Sequence, residues 1–156
     1  MSPKATSRRA ADAAVLYELE SQIGFVLRRA HQRHVSIFAD CMAELSLTPQ
    51  QFSALVKIQD EVAVSQNRLG RLTAMDPATI LGVVQRLIQR GLVNRSPDPV
   101  DPRSTRLTLT EKGQELVASA LPMAREATDR TLAHLSSAER KDLQRLLSKL
   151  ATGEDE

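Results

Sequence analysis

Aromatic side chains and cysteine are both scarce in this chain, and each scarcity removes a class of protein. One tyrosine, three phenylalanines and no tryptophan stand among 156 residues. Leu, Val, Ile and Ala must therefore fill any core, which favours helices over a sandwich or barrel. A single cysteine excludes an internal disulfide framework and fits a reducing, cytoplasmic setting. No apolar run approaches the roughly 20 residues needed to cross a bilayer, so no membrane partner is expected. The start, MSPKATSRRAADAA, is basic but has no apolar stretch of secretion-signal type. Six scattered glycines offer no phosphate-cradling loop, and no nucleophile elbow or carboxylate pair is present. The chain does not read as an enzyme, and no cofactor is expected.

Net charge is only +2, but its distribution is uneven. From Ser65 to Arg106 there are seven arginines, no lysine and three aspartates, a local balance of +4, and the rest of the chain sums to −2. A segment whose cations are all guanidinium suits forked contacts to phosphate and guanine, although a solvated surface also clusters charge.

Apolar residues at Val15/Leu16, Leu19, Ile23, Val26/Leu27, Ala30, Ile37/Phe38, Cys41/Met42 and Leu45 recur in steps of three and four without proline. That spacing predicts one amphipathic helix over 12–45, about 45 Å long at roughly 1.5 Å per residue. The chain is predicted helical again over 114–150, with a capping box at Ser136 and Glu139 and a stripe of Leu143, Leu146, Leu147 and Leu150. Long apolar-faced helices at both ends point to a homodimer interface, with an elongated monomeric bundle as the alternative.

The middle is punctuated differently. Thr48-Pro49-Gln50-Gln51 is a helix start with cap, first-turn proline and box. Ser65 caps a short helix with Leu69 and Leu72, and Asp76-Pro77 opens another from Ala78 to Arg90, stopped by Gly91. Two short helices and a tight turn form a helix-turn-helix. Ile80, Val84, Leu87 and Ile88 are placed inward; Ala78, Thr79, Gly82, Val83 and Arg86 are placed outward, small enough for close approach to a major groove. A glycine on a helix face can equally accommodate a neighbouring helix. Next, VNRSPDPVDPRSTRLTLT carries three prolines between two alternating strands, a stiffened hairpin with Arg103 near its tip. This is the wing of a winged helix. Asp101 can fix its shape, and Arg103 can enter a narrow minor groove or simply pair with Asp98 and Asp101.

The chain from about Leu16 to Leu150 resembles the MarR family of bacterial transcription regulators. The resemblance rests on SQNRLGRLTAMDPATILGVVQRLIQRGLV and on the wing pattern Arg95, five residues, Asp101-Pro102-Arg103, then Leu109-Thr110-Glu111-Lys112-Gly113. It implies a homodimer on a pseudo-palindromic double-stranded operator, with Arg103 as minor-groove arginine and Asp101 as its positioner, through Arg95. The expected DNA-facing set is Ser65, Asn67, Arg68, Arg71, Asp76, Pro77, Ala78, Thr79, Gly82, Val83, Arg86, Arg95, Asp101, Arg103 and Ser104. LESQIGFVLRRAHQRH and SQNRLGRLTAMDPATI are similar to a subgroup responding to aromatic acids or their CoA thioesters, which represses catabolic genes until the ligand appears. The resulting division is a basic tail 1–11, a helical dimerisation region 12–45 with 114–150, a DNA-binding domain 46–113 and an acidic tail 151–156.

A ligand pocket is expected from Arg28, His31, His34, Phe38, Met42 and Leu55: apolar walls with a few cationic groups suit an aromatic carboxylate. His31 and His34 at i, i+3 can share a metal, but no third Cys or His is nearby and no metal site is assigned. Cys41 lies on the apolar stripe and reads as a structural thiol; peroxide-sensing relatives carry theirs near the first helix start, where this chain has Gln22-Ile23-Gly24. The rival readings are a zinc- or redox-responsive regulator and a winged helix that binds protein rather than DNA.

Overall fold

The computed structural model describes residues 17–153. The chain divides into two compact units, Met1–His34 and Val35–Glu156. Helices dominate, in the order α1 (Ile23–Cys41), α2 (Pro49–Glu61), α3 (Gln66–Leu72), α4 (Pro77–Gln89), β1 (Val93–Pro97), β2 (Thr105–Leu109), α5 (Glu111–Thr131) and α6 (Ser137–Thr152). The fold is mainly α with one small antiparallel hairpin, a winged helix-turn-helix.

The first helix is shorter than its periodicity predicts. Residues 12–16 and the basic tail 1–11 lie outside the described residues. Leu19–Ser21 form a 3-10 turn, and Gln22 is extended at φ −73°, ψ 131°. The Ser21 hydroxyl and the Gln22 side-chain amide both donate to the Glu18 carbonyl, at 2.9 and 3.1 Å. These bonds give the backbone a local alternative to the helix. Helix α1 itself has 19 residues, about 28 Å. Residues 154–156 of the acidic tail are also outside the described set; α6 runs to Thr152 and closes on Gly153 at φ 64°.

The second unit holds the core. Leu55 and Ile58 of α2, Leu69 of α3, Ile80, Val84 and Leu87 of α4, Leu92, Leu107 of β2, and Val117 and Ala120 of α5 are all buried. Thr48 and Gln51 complete the expected capping box on α2, and Ser136 and Glu139 the one on α6. Gly91, at φ 69°, turns the chain out of α4. The strands pair in the register Val93↔Leu109 to Pro97↔Thr105. Val64 adds a one-residue third edge: its N–H donates to the Leu107 carbonyl at 3.1 Å and its carbonyl accepts from Leu107 N–H at 2.8 Å. The hairpin is thereby tied to the segment that leads into α3. At the base, the Thr110 hydroxyl donates to the Gly91 carbonyl at 2.7 Å and Lys112 to the Arg90 carbonyl at 3.0 Å. Gly113 packs so closely on Leu92 that a Cβ there would collide with the Leu92 carbonyl oxygen.

Between α2 and α3 the backbone folds through Val62 at φ 64°, ψ −47°, with Ala63 N–H donating to the Glu61 carbonyl at 2.7 Å. This is a γ-turn of the rare positive-φ kind, and a β-branched residue at its centre is strained.

Candidate nucleic-acid interface

Helix α4 begins at a strong cap. Asp76 accepts from the Thr79 backbone N–H at 2.8 Å and from its hydroxyl at 2.7 Å. These bonds, the hydroxyl first, hold the Asp76 carboxyl below its ordinary range. Pro77 occupies the first turn, where its missing N–H costs nothing. Ile80, Val83, Val84 and Leu87 face the core. The outward placement of Val83 is therefore corrected: at 3% exposure it shares the buried stripe, three residues from Ile80 and four from Leu87. The exposed face comprises Ala78, Leu81, Gln85, Arg86 and Gln89, with Gly82 half-buried among them. No neighbouring helix explains Gly82, because a Cβ there would meet only Arg86 Nη1, at 3.9 Å. Arg90, at the end of the helix, turns away from this face and donates to the carbonyls of Ser46 and Leu45 at 2.9 and 2.8 Å.

The wing tip is organised by its aspartates. Asp98 accepts from Val100 and Asp101 N–H at 2.8 and 3.3 Å and from Arg106 Nε at 2.6 Å. Those contacts, led by the Val100 N–H, lower its pKa. Asp101 accepts from Arg103 N–H at 3.1 Å, and Arg103 Nε lies 3.5 Å from the same carboxylate. The Arg103 side chain remains 94% exposed. Ser104 donates its hydroxyl to the Asp101 carbonyl at 3.3 Å, which folds the tip back into β2. Arg95 does not pair with Asp101. Its guanidinium donates to Gln66 Oε1 at 2.8 Å, because its register position opposite Leu107 faces α3 rather than the tip.

Among the expected phosphate contacts, Ser65 accepts from Arg68 N–H as the cap of α3. Arg68 is gripped by both oxygens of Glu61, at 2.8 and 3.3 Å, and each raises the charge preference of the other. Asn67 and Arg71 are exposed, and Arg71 makes no ion pair among the described residues. Leu81 and Gln85 are exposed on the same face of α4, and Gln66 bonds Arg95; none of the three is in the expected set. The signal for Gln85 was present, since a step of about 100° per residue puts it opposite Ile80 and Leu87; Gln66 carries no such pattern.

Comparison with known proteins gives the architecture its context. The MarR family model matches residues 47–105. The HTH-type transcriptional repressor NicR of Pseudomonas putida is 37% identical over 155 residues, covering 99% of this chain and 98% of the relative. This chain belongs to the MarR family. Members of the family are DNA-binding transcription regulators rather than enzymes. A probable transcriptional regulator from Pseudomonas aeruginosa superposes with a TM-score of 0.83 at 46% identity, covering 85% of this chain and 99% of that one. BpsR of Bordetella bronchiseptica, solved in a study of the regulation of its DNA binding by 6-hydroxynicotinic acid, gives 0.83 at 40% identity over 86% and 96%.

In this MarR-family chain the residues expected to line a ligand pocket divide between core and surface. Phe38, Met42 and Leu55 are 4%, 1% and 0% exposed, so they fill the core and present no free wall to a ligand. An apolar cavity of about 530 Å³ instead lies between α2 and α5, lined by Phe52, Val56, Leu121, Ala124, Arg125, Thr128 and Asp129. Phe38 backs it through Phe52, ring centroids 5.7 Å apart. Arg28 lies on α1 with its guanidinium 5.5 Å from the Phe25 ring. His31 is exposed; His34 is half-buried, and burial followed by the charge of His31 lowers its pKa. Among the described residues no group of three His, Cys, Asp or Glu could hold a metal. Cys41 is half-buried, with Arg130 Nη1 donating to its sulfur at 3.3 Å.

Proposed function

We propose that this regulator is a homodimeric repressor of genes for aromatic-acid catabolism. It holds a pseudo-palindromic operator until an aromatic carboxylate or its CoA thioester releases it. The observation that carries this reading is the near full-length similarity to NicR, named a repressor, and to BpsR, whose DNA binding is regulated by 6-hydroxynicotinic acid. The cleft between α2 and α5 supports it: its walls are mostly apolar, and Arg125 supplies a cation, with Asp129 beside it. The arginines of 65–106 support operator contact.

In this mechanism the dimer sets two α4 helices in successive major grooves, about 34 Å apart. Arg103 of each wing enters the flanking minor groove, Arg95 and Asp101 hold the wing in place, and Ser65, Asn67, Arg68 and Arg71 lie along phosphate. Ligand releases the operator by binding the DNA-incompetent spacing of the two heads more tightly; only that differential affinity is required. The regulator acts in the cytoplasm, where its operator lies.

Selection from random duplex DNA at near-physiological salt tests the first half. A palindrome with half-sites one helical turn apart is expected, and enrichment of nothing would overturn operator binding. Arg103→Ala is then expected to cost about 1–3 kcal/mol of affinity, and Arg71→Ala to reduce the salt slope by about one. Titrating the complex with 6-hydroxynicotinic acid and simple benzoates tests the second half, with Arg125→Ala, Arg28→Ala and His34→Ala beside wild type. Indifference of wild type to every acid would remove the ligand from the reading while leaving the repressor intact.

A further inference from the structure

The exposed face of α4 carries a single charge, Arg86, among uncharged residues. Along it run Ala78, Leu81, Gln85 and Gln89, with the bare backbone of Gly82 between them. Arg86 folds back toward Gly82, its Nη1 3.9 Å from the position a Cβ would take there. Gln85 is exposed, and among the described residues its amide makes no side-chain hydrogen bond, so both its donor and its acceptor are available. Leu81 is 40% exposed although a buried stripe lies one residue away. A single exposed leucine is ordinary on any surface. Here it sits one turn before a free glutamine, beside a glycine that no packing requires, on the helix that meets the bases.

We propose that Leu81 and Gln85 are the residues that set operator sequence, Leu81 by packing on a thymine 5-methyl group and Gln85 by a two-pronged bond to adenine N6 and N7. The inference rests on the family's reading of DNA through this helix. The chemistry follows from the groove edges: thymine alone carries a methyl there, and adenine alone presents an acceptor and a donor side by side, which a carboxamide matches. Val83 cannot share the task because it is in the core. Residues four apart along a helix are separated by about 6 Å, close to two base-pair steps of roughly 3.4 Å. Each half-site therefore carries a thymine and an adenine about two steps apart, on either strand.

The test uses the full-length protein and the duplex recovered by selection. Deoxyuridine in place of each thymine removes the methyl, and 7-deazaadenine in place of each adenine removes N7. Wild type is expected to lose several-fold in affinity at one thymine and roughly tenfold or more at one adenine of each half-site. Leu81→Ala is expected to be indifferent to that deoxyuridine, and Gln85→Ala to that 7-deazaadenine. Both variants keep the wild-type salt slope and far-UV circular dichroism, which a loss of phosphate contact or of fold would not allow. The assignment is overturned if the variants respond to the analogues as wild type does, or select the same half-site with the same stringency. Wild type enriching no site would overturn the operator reading itself.

Discussion

Gly82 and Val62 are opposite cases of a residue that does not suit its backbone. Gly82 stands inside a helix with nothing but its own helix beside it, a position where alanine is about 1 kcal/mol better. Gly82→Ala is expected to raise the thermal midpoint by about 2–4 °C and to weaken operator binding several-fold, because the added methyl stands between helix and groove. Val62 holds a conformation that suits glycine while 77% exposed, so its side chain contributes little packing in return. The strain there is of the order of 1–3 kcal/mol, and a glycine costs about 1 kcal/mol in chain freedom. Val62→Gly is therefore expected to stabilise on balance. Calorimetry of the two variants decides both cases: a lower midpoint for Gly82→Ala would mean that the glycine serves packing, and a lower one for Val62→Gly that the turn is relaxed.

Beyond its paired strands, the tip of the wing is organised by one carboxylate. Asp98 ties Val100, Asp101 and Arg106 together, and its pKa lies below that of an unfolded aspartate. The sign follows: its contribution is complete above the ordinary aspartate range and disappears as pH falls through the lowered value. Acid titration followed by NMR is expected to shift the Val100 and Asp101 amides together at a pH below the ordinary aspartate range, and Asp98→Asn is expected to remove that transition. Independent shifts of the two amides would contradict a shared acceptor. The elements themselves were legible where a residue type has one local use: Thr48, Ser65, Asp76 and Ser136 each cap the helix assigned to them, and three prolines announced the wing. Legibility failed where the decisive contact is with a distant or single residue. The extended Gln22 depends on side chains reaching back to one carbonyl, and Val64 pairs through a single residue, which has no period. Arg95 was linked to Asp101, although strand register turns it toward Gln66. Val83 was placed outward although its spacing from Ile80 and Leu87 already put it inside. For the expected ligand set the limit is different: an apolar residue near a cation reads alike whether it lines a cavity or fills the core, and only packing separates the buried Phe38 from Phe52.

For the whole molecule, α6 makes a statement that its own unit does not complete. None of its residues is buried, and Leu146, Leu147 and Leu150 are 48%, 39% and 63% exposed on one face. Such a stripe is costly in water unless a second surface covers it, which agrees with the proposed homodimer. Leu146→Glu combined with Leu150→Glu is expected to halve the mass measured by light scattering and to abolish palindrome binding while the helices remain. A variant of unchanged mass would place the dimer contact elsewhere. The charge on the DNA-facing segment has one more consequence. All seven cations from Ser65 to Arg106 are guanidinium groups, and the lysines lie outside that segment, at positions 4, 57, 112, 141 and 149. Acetylation, which silences charge by capping an amine, therefore has no target within that segment.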